Sequence, residues 1–223
     1  MSNPTPKSRE DTVPMFAYPV KEKTKLQRPI TGDHNADFFE IAMTRHSTHS
    51  FGALLPGQLD HLLWFAAKAL ETRVQSDGYV LSHRPSPSAG ARHPIDILVC
   101  SNASQPTVAY YNPFEHSLNT LRLDLVVVTE LVAHINTAVD MQQGVFLWLL
   151  AHPSRTAAKY EHPESLIWRD AGALLQQIQL TAIALKLSSC ALGTLAEPFA
   201  SQLFENIGSV VSAGGIIVGN LDL

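Results

Sequence analysis

Charge is scarce in this chain. Only 16% of its 223 residues are Asp, Glu, Lys or Arg, against roughly a quarter in an ordinary soluble domain, so part of the surface is expected to be buried by a partner. The formal balance of -4 offers no basic field for phosphate backbones, and no run of like charge appears, which excludes nucleic acid as a general partner. Cysteine is nearly absent: Cys100 and Cys190 are too few for a disulfide framework or a thiolate metal site and read as small buried residues. Long apolar runs are missing too. The longest, such as residues 144–151, fall far short of the ~20 residues that a bilayer span requires, and Met1-Ser2-Asn3-Pro4 opens neither a signal nor a transit peptide. A soluble, cytoplasmic protein with no membrane partner is expected. There is no Gly-x-Ser-x-Gly elbow, no phosphate-binding Gly-x-x-x-x-Gly-Lys-Ser/Thr loop, no His-Glu-x-x-His and no Gly-x-Gly-x-x-Gly. The ten histidines are scattered, and His46 and His49, three apart, have no carboxylate neighbour to complete a ligand set, so no metal site is assigned.

What is present suits one core. Residues 1–35 are rich in Pro, Lys, Ser, Thr and Asp, without sustained apolar periodicity, and read as a flexible N-terminal arm too polar to offset the entropy of ordering. Residues 36–223 read as one domain. Phe38, Phe39, Ile41, Ala42 and Met43 predict a short helix, and Pro56 followed by Leu59, Leu62, Leu63, Ala66, Ala69 and Leu70 predicts another. The proline-rich stretch 82–94 is a loop. Residues 95–101 and 107–112 are β-prone and form a hairpin, so their strands are antiparallel. A helix over 125–139, a strand buried on both faces over 144–151, a long helix from about 168 to 187 and a last strand from Ile216 complete the reading. Without strict βαβ alternation the class is α+β.

Three polar clusters stand out. Arg45, Ser47 and His49 alternate where the chain leaves an apolar helix, so in an extended run they face one way and suit an anion or a polar ring edge; on spacing alone, a helix C-terminus complemented by Arg and His is the plainer reading. Residues 84–94 (Arg-Pro-Ser-Pro-Ser-Ala-Gly-Ala-Arg-His-Pro) combine small residues and prolines with two arginines, so a flat ligand can approach the backbone closely, unless the loop is merely rigid. Lys159-Tyr160, ahead of Trp168-Arg169, is an acid/base pair if partly buried and an ordinary surface dipeptide otherwise.

Taken in order, these clusters resemble the FMN-dependent nitroreductase superfamily, and within it the SagB-type dehydrogenases that oxidise azolines to azoles in thiazole/oxazole-modified peptides. The resemblance runs from about Asp37 to Leu221. Thr44-Arg45-His46-Ser47-Thr48-His49-Ser50-Phe51 is similar to the family's Arg-x-Ser-x-basic-x-Phe motif, which implies that Arg45, with His46 and Ser47, holds the FMN phosphate and that His49 meets the flavin N1/O2 edge. Pro87-Ser88-Ala89-Gly90-Ala91-Arg92-His93-Pro94 is similar to the Pro-Ser-Ala-Gly-x-x-x-Pro loop of the azoline-oxidising branch, implying cofactor contacts from Pro87, Ser88, Ala89, Gly90 and Arg92. Lys159-Tyr160 and Trp168-Arg169-Asp170-Ala171-Gly172 resemble that branch's Lys-Tyr pair and helix start, and in the branch the Lys and Tyr are catalytic. Ser189-Cys190-Ala191-Leu192-Gly193-Thr194 falls where the family places backbone donors near flavin N5, which implicates Leu192 and Gly193. Three departures stand beside these matches: His49 replaces the usual Arg or Lys, Ala173 stands where the branch often has His, and Asn220-Leu221-Asp222-Leu223 lacks a basic residue to clamp the phosphate.

The resemblance implies a nitroreductase-like fold, a mainly antiparallel sheet surrounded by helices with a long central helix, in a homodimer carrying FMN at the subunit interface. It implies a small-molecule or modified-peptide substrate. A general NAD(P)H-dependent nitro or quinone reductase needs no Lys-Tyr pair and is the second reading. A degenerate family member that binds a ligand without redox turnover is the third.

Overall fold

The computed structural model describes residues 2–14, 16–30, 36–204 and 209–221. Eleven strands and six helices follow in the order β1 (Thr5–Pro6), β2 (Val20–Lys25), α1 (Phe38–Thr44), α2 (Gln58–Ala67), β3 (Glu71–Val74), β4 (Val80–His83), β5 (Ile95–Ser101), β6 (Val108–Asn112), β7 (Ser117–Leu121), α3 (Leu125–Ala138), β8 (Val145–Ala151), α4 (Pro153–Ala157), β9 (Tyr160–Glu161), α5 (Glu164–Ala184), β10 (Leu187–Leu192), α6 (Phe199–Phe204) and β11 (Val211–Asn220). Seven strands form one sheet in the order β10-β11-β8-β5-β6-β7-β2, every neighbouring pair antiparallel. The expected α+β class and nitroreductase-like architecture are found.

The sheet is covered on both faces, and the alternation of side chains along its central strands explains why. Ile95, Ile97 and Val99 of β5, with Leu147 and Leu149 of β8, join a core shared with α2 and α5. Leu98, Cys100, Phe146, Trp148 and Leu150 join the opposite core with α3 and α6. A strand apolar at every position is thus split between two cores by its period of two. The long helix sits three or four residues earlier than expected, from Glu164, and packs on β10 and α2.

Two expectations are corrected. The proline-rich loop does not begin at Ser82, because β4 runs through His83 and pairs with β3, a hairpin of mostly exposed residues that carries no apolar alternation to betray it. The N-terminal arm is also not a segment without packing. Val20–Lys25 is an edge strand of the main sheet, paired with β7, and Thr5–Pro6 pairs with Tyr160–Glu161. The physical reason is aromatic. Tyr18 stacks on Tyr110 with ring centroids 4.6 Å apart, meets Phe204 edge-on at 5.7 Å, and packs beside Phe16. Each such ring buries roughly 150–250 Å², enough to fix a segment whose other residues are polar.

One buried charge holds this end of the fold together. Asp96, at the start of β5, accepts from Arg155 of α4 through Nη1 (2.7 Å) and Nη2 (2.9 Å), from Tyr18 Oη (3.0 Å), and lies 2.9 Å from His152 Nε2. Burial pushes its carboxyl up, but Arg155 and then His152 outweigh that and hold it well below the usual carboxylate range. Burial also lowers His152, only partly offset by Asp96, so its contact is a hydrogen bond from a neutral ring and Arg155 alone supplies the counter-charge. Asp96→Asn should therefore cost up to about 3–5 kcal/mol by leaving the half-buried Arg155 without its counter-charge, read as a lower urea midpoint at pH 7. Because the folded carboxyl lies below its unfolded value of about 3.9, its contribution is present above that pH and is lost as pH falls further. The variant should lack this acid slope; equal midpoints, or equal slopes between about pH 4 and pH 2, would contradict the assignment.

Candidate functional site

The structure gathers the sequence-identified residues into two groups. The first lies along the outer edge of β10. Helix α1 ends as the Arg45 N–H donates to Ile41 O, and the chain leaves in an extended conformation. Thr48 then binds the unpaired edge of β10: its N–H donates to Ser189 O (3.0 Å), and the Ser189 N–H donates to Thr48 Oγ1 (2.9 Å). His49 Nε2 lies 3.7 Å from Cys190 Sγ. Thr48 and His49 are thereby tied to Ser189 and Cys190 of the strand that ends at Leu192, with Arg45 and Ser47 on the same extended segment. Among the described residues Arg45 makes no ion pair, and space is open where Gly193 would carry a Cβ. His46 turns back, its Nδ1 2.7 Å from Thr44 O.

The second group joins the proline-rich loop to the Lys-Tyr segment. Ser88 Oγ donates to Asp170 Oδ2 (2.5 Å), the Ala89 N–H donates to the same carboxylate (3.2 Å), and the His93 N–H donates to Ser88 Oγ (2.8 Å). Burial raises the Asp170 carboxyl, and these donors only partly offset it. Held this way, the loop makes a tight helical turn over Ala89–Ala91 in which Gly90 takes a left-handed φ of +61°. Only glycine fits. A Cβ there would lie 2.8 Å from Lys159 Cδ and 3.0 Å from Tyr160 Oη. The loop backbone and the Lys159-Tyr160 pair are therefore in direct contact, with Pro87 exposed beside them.

Arg92 does not share this face. Its guanidinium is buried, bonded to Glu10 and to Gln75 Oε1 (3.3 Å), and lies 5.0 Å from the centre of the Tyr79 ring. Arg169, the cation expected beside Lys159, donates instead to Ser165 O and Oγ in its own helix. The group that does meet Lys159 is an acid. Glu10 Oε1 lies 3.3 Å from Lys159 Nζ while its other oxygen takes Arg92. Burial pushes the Glu10 carboxyl up, but Arg92 and Lys159 more than offset this and hold it below its usual value. The arm is locked over this segment by backbone bonds from Lys7 N to Lys159 O (2.9 Å) and from Asp11 N to Ala158 O (2.7 Å). Sequence reasoning missed Glu10, one acid in a polar arm, and missed the role of Asp170, which is visible only once α5 meets the loop.

No hydrogen bond, ion pair or ring contact joins the two groups among the described residues. β10, which carries the first, is three strands from β5, which follows the loop of the second, a lateral step of about 14 Å at ~4.8 Å per strand. A cation without an ion pair, the loop backbone and the Lys-Tyr pair are all present, in two separate groups.

Comparison with known proteins agrees with this geometry. The family model described as the nitroreductase family matches residues 43–212. No curated protein matches the chain. Among solved structures, a protein from Ralstonia eutropha JMP134 assigned to the nitroreductases superposes with a TM-score of 0.66 at 20% identity, over 96% of this chain and 99% of that one. The E. coli microcin synthetase McbBCD complex with truncated pro-MccB17 contains a chain that superposes with a TM-score of 0.61 at 16% identity, over 90% of this chain and 79% of that one. A Bacteroides fragilis nitroreductase with bound FMN gives a TM-score of 0.51 at 13% identity, over 84% and 90%. Matched over most of its length, the chain belongs to the nitroreductase family, whose members are FMN-dependent oxidoreductases.

Proposed function

We propose that this protein is an FMN-dependent oxidoreductase that dehydrogenates an azoline or a related ring, on a modified peptide or a small molecule, and that it works as a homodimer. The observation that carries the reading is the contact of Gly90 with Lys159 and Tyr160, which puts the two most specific motifs of the azoline-oxidising branch into one cluster. A solved neighbour in a microcin synthetase complex with a bound peptide is consistent with a peptide substrate.

The residues fit FMN. Arg45 is an unpaired cation on an extended segment with Ser47 close by, suited to a terminal phosphate, while the open space at Gly193 and the loop at Pro87–Gly90, exposed at Pro87 and half-buried beyond it, admit a flat ring system. Bound FMN supplies a two-electron acceptor for hydride. The protein supplies position and a path for the proton. Lys159 Nζ can take the proton released at the ring carbon only once it has left Glu10 Oε1 and given its own proton to water, and Tyr160 Oη, against the loop, orients the ring. A second copy brings the two half-sites together. Helix α1 presents Phe38, Phe39 and Met43 at 62, 75 and 87% exposure, an apolar face that suits a partner surface.

The Lys159–Glu10 ion pair itself favours the second reading, a general NAD(P)H-dependent nitro or quinone reductase, because an ammonium paired to a carboxylate is no base and that chemistry needs none. Two measurements bear on the choice. Charge-assisted hydrogen bonds contribute about 1.5–3 kcal/mol each, so Arg45→Ala should weaken FMN binding at least about tenfold in a flavin fluorescence titration; an unchanged dissociation constant removes the phosphate assignment. Lys159→Ala should keep FMN yet lose azoline oxidation by roughly 10²–10⁴-fold, with reduction of a simple quinone little changed. Wild-type azoline oxidation in that variant, or none in the parent protein, would favour the general reductase.

A further inference from the structure

Behind the loop that carries Gly90, the N-terminal segment, the β3–β4 hairpin and β6 enclose a cavity of about 450 Å³, within the range of small-molecule sites. None of Arg45, Gly90, Lys159 or Tyr160 borders it. Phe16, Tyr79, Tyr110 and Phe114 give it an aromatic lining. Two guanidiniums reach it, and they differ. Arg155 is spent, both terminal nitrogens donating to Asp96. Arg84 is not. Its Nε donates to Ser82 Oγ (2.9 Å) and its plane lies 5.4 Å from the centre of the Phe114 ring, yet among the described residues Nη1 and Nη2 have no hydrogen-bond partner and Arg84 makes no ion pair. A half-buried cation stacked on a ring with its forked end free is a receptor for a carboxylate, which matches that fork with two parallel hydrogen bonds.

We propose that this cavity is a binding site for a planar aromatic monocarboxylate, gripped end-on by the two terminal nitrogens of Arg84 among the rings that line it. The charge follows from the lining. Asp96 cancels Arg155 and Asp77 stands on the exposed hairpin turn, so a second negative charge on the ligand meets repulsion with no cation left to answer it. His93 adds none: burial, and then Arg84, lower its imidazole to about 3, so it is neutral at physiological pH. Aromatic character follows from the four rings, which offer flat contacts to a flat ligand.

Benzoate is the probe. Calorimetric titration of the full-length, FMN-supplemented protein should give saturable binding of one benzoate per chain, while neutral benzamide and inorganic phosphate should bind at least tenfold more weakly. Arg84→Gln should weaken benzoate at least tenfold, as loss of a charge-assisted pair requires, and Lys159→Ala should leave it unchanged, which separates this cavity from the proposed flavin site. Absence of binding, benzamide or phosphate equal to benzoate, an unaffected Arg84→Gln protein, or loss of binding in Lys159→Ala would each overturn the proposal. If Arg84→Gln does not fold, phenylglyoxal labelling of the unaltered protein decides: peptide mapping should find Arg84 protected by benzoate, and equal labelling with and without it overturns the site.

Discussion

A carboxylate taken out of water must be surrounded by donors, and Asp96 recruits its donors from every segment that builds this end of the molecule. Arg155 comes from the helix after β8, His152 from the end of β8, and Tyr18 from the N-terminal segment. The loop bearing Gly90 ends two residues before Asp96, and the Lys159-Tyr160 segment starts four residues after Arg155. Both halves of the loop–lysine cluster are thus tied to one ion pair at the head of a central strand. Its cost in desolvation is met by geometry, and its return is register: a segment that slipped would strand a buried charge.

The same accounting of charge explains what the remaining cations do. Asp96 satisfies Arg155, and Glu10 satisfies Arg92 while still touching Lys159. Among the described residues the Arg45 side chain makes no hydrogen bond or ion pair and Arg84 bonds only through Nε, to Ser82 Oγ; the exposed Arg9, Arg28, Arg73 and Arg122 also lack ion pairs, but none of them lines the aromatic cavity that Arg84 reaches. In a chain with so few charged residues, an unpaired arginine near apolar surface is a demand for an anion. The two differ in setting: Arg45 sits on the extended segment that leaves α1, Arg84 in the lining of a half-open cavity.

Much of the frame was legible in the sequence, for reasons visible in particular residues. Residues 145–151 are apolar without interruption because both faces of β8 are covered, and the alternate side chains of residues 95–100 go to opposite cores. The motif residues are local too, so Arg45, Gly90 and Lys159 were found without knowing what they touch. What the sequence concealed was pairing at a distance. Nothing in a polar arm announces that Glu10 meets Lys159 or that Tyr18 stacks on Tyr110, and Arg92 reads as a cofactor ligand until Glu10 and Tyr79 are seen around it. The outward face of α1 was equally hard to read: its apolar residues specify a helix, but no core among the described residues receives them.

That outward face and the separation of the two groups of site residues carry the proposal that a second copy completes the flavin site. Mixed dimers test this most directly. Arg45→Ala disables the half-site on β10, and Gly90→Val, whose side chain would collide with Lys159, disables the other; each homodimer should retain little FMN. Dissociated, mixed in equal amounts and reassembled, they should regain about a quarter of the wild-type FMN, since half of the dimers then hold one intact site. A mixture as empty of FMN as its two components would contradict a site shared between copies.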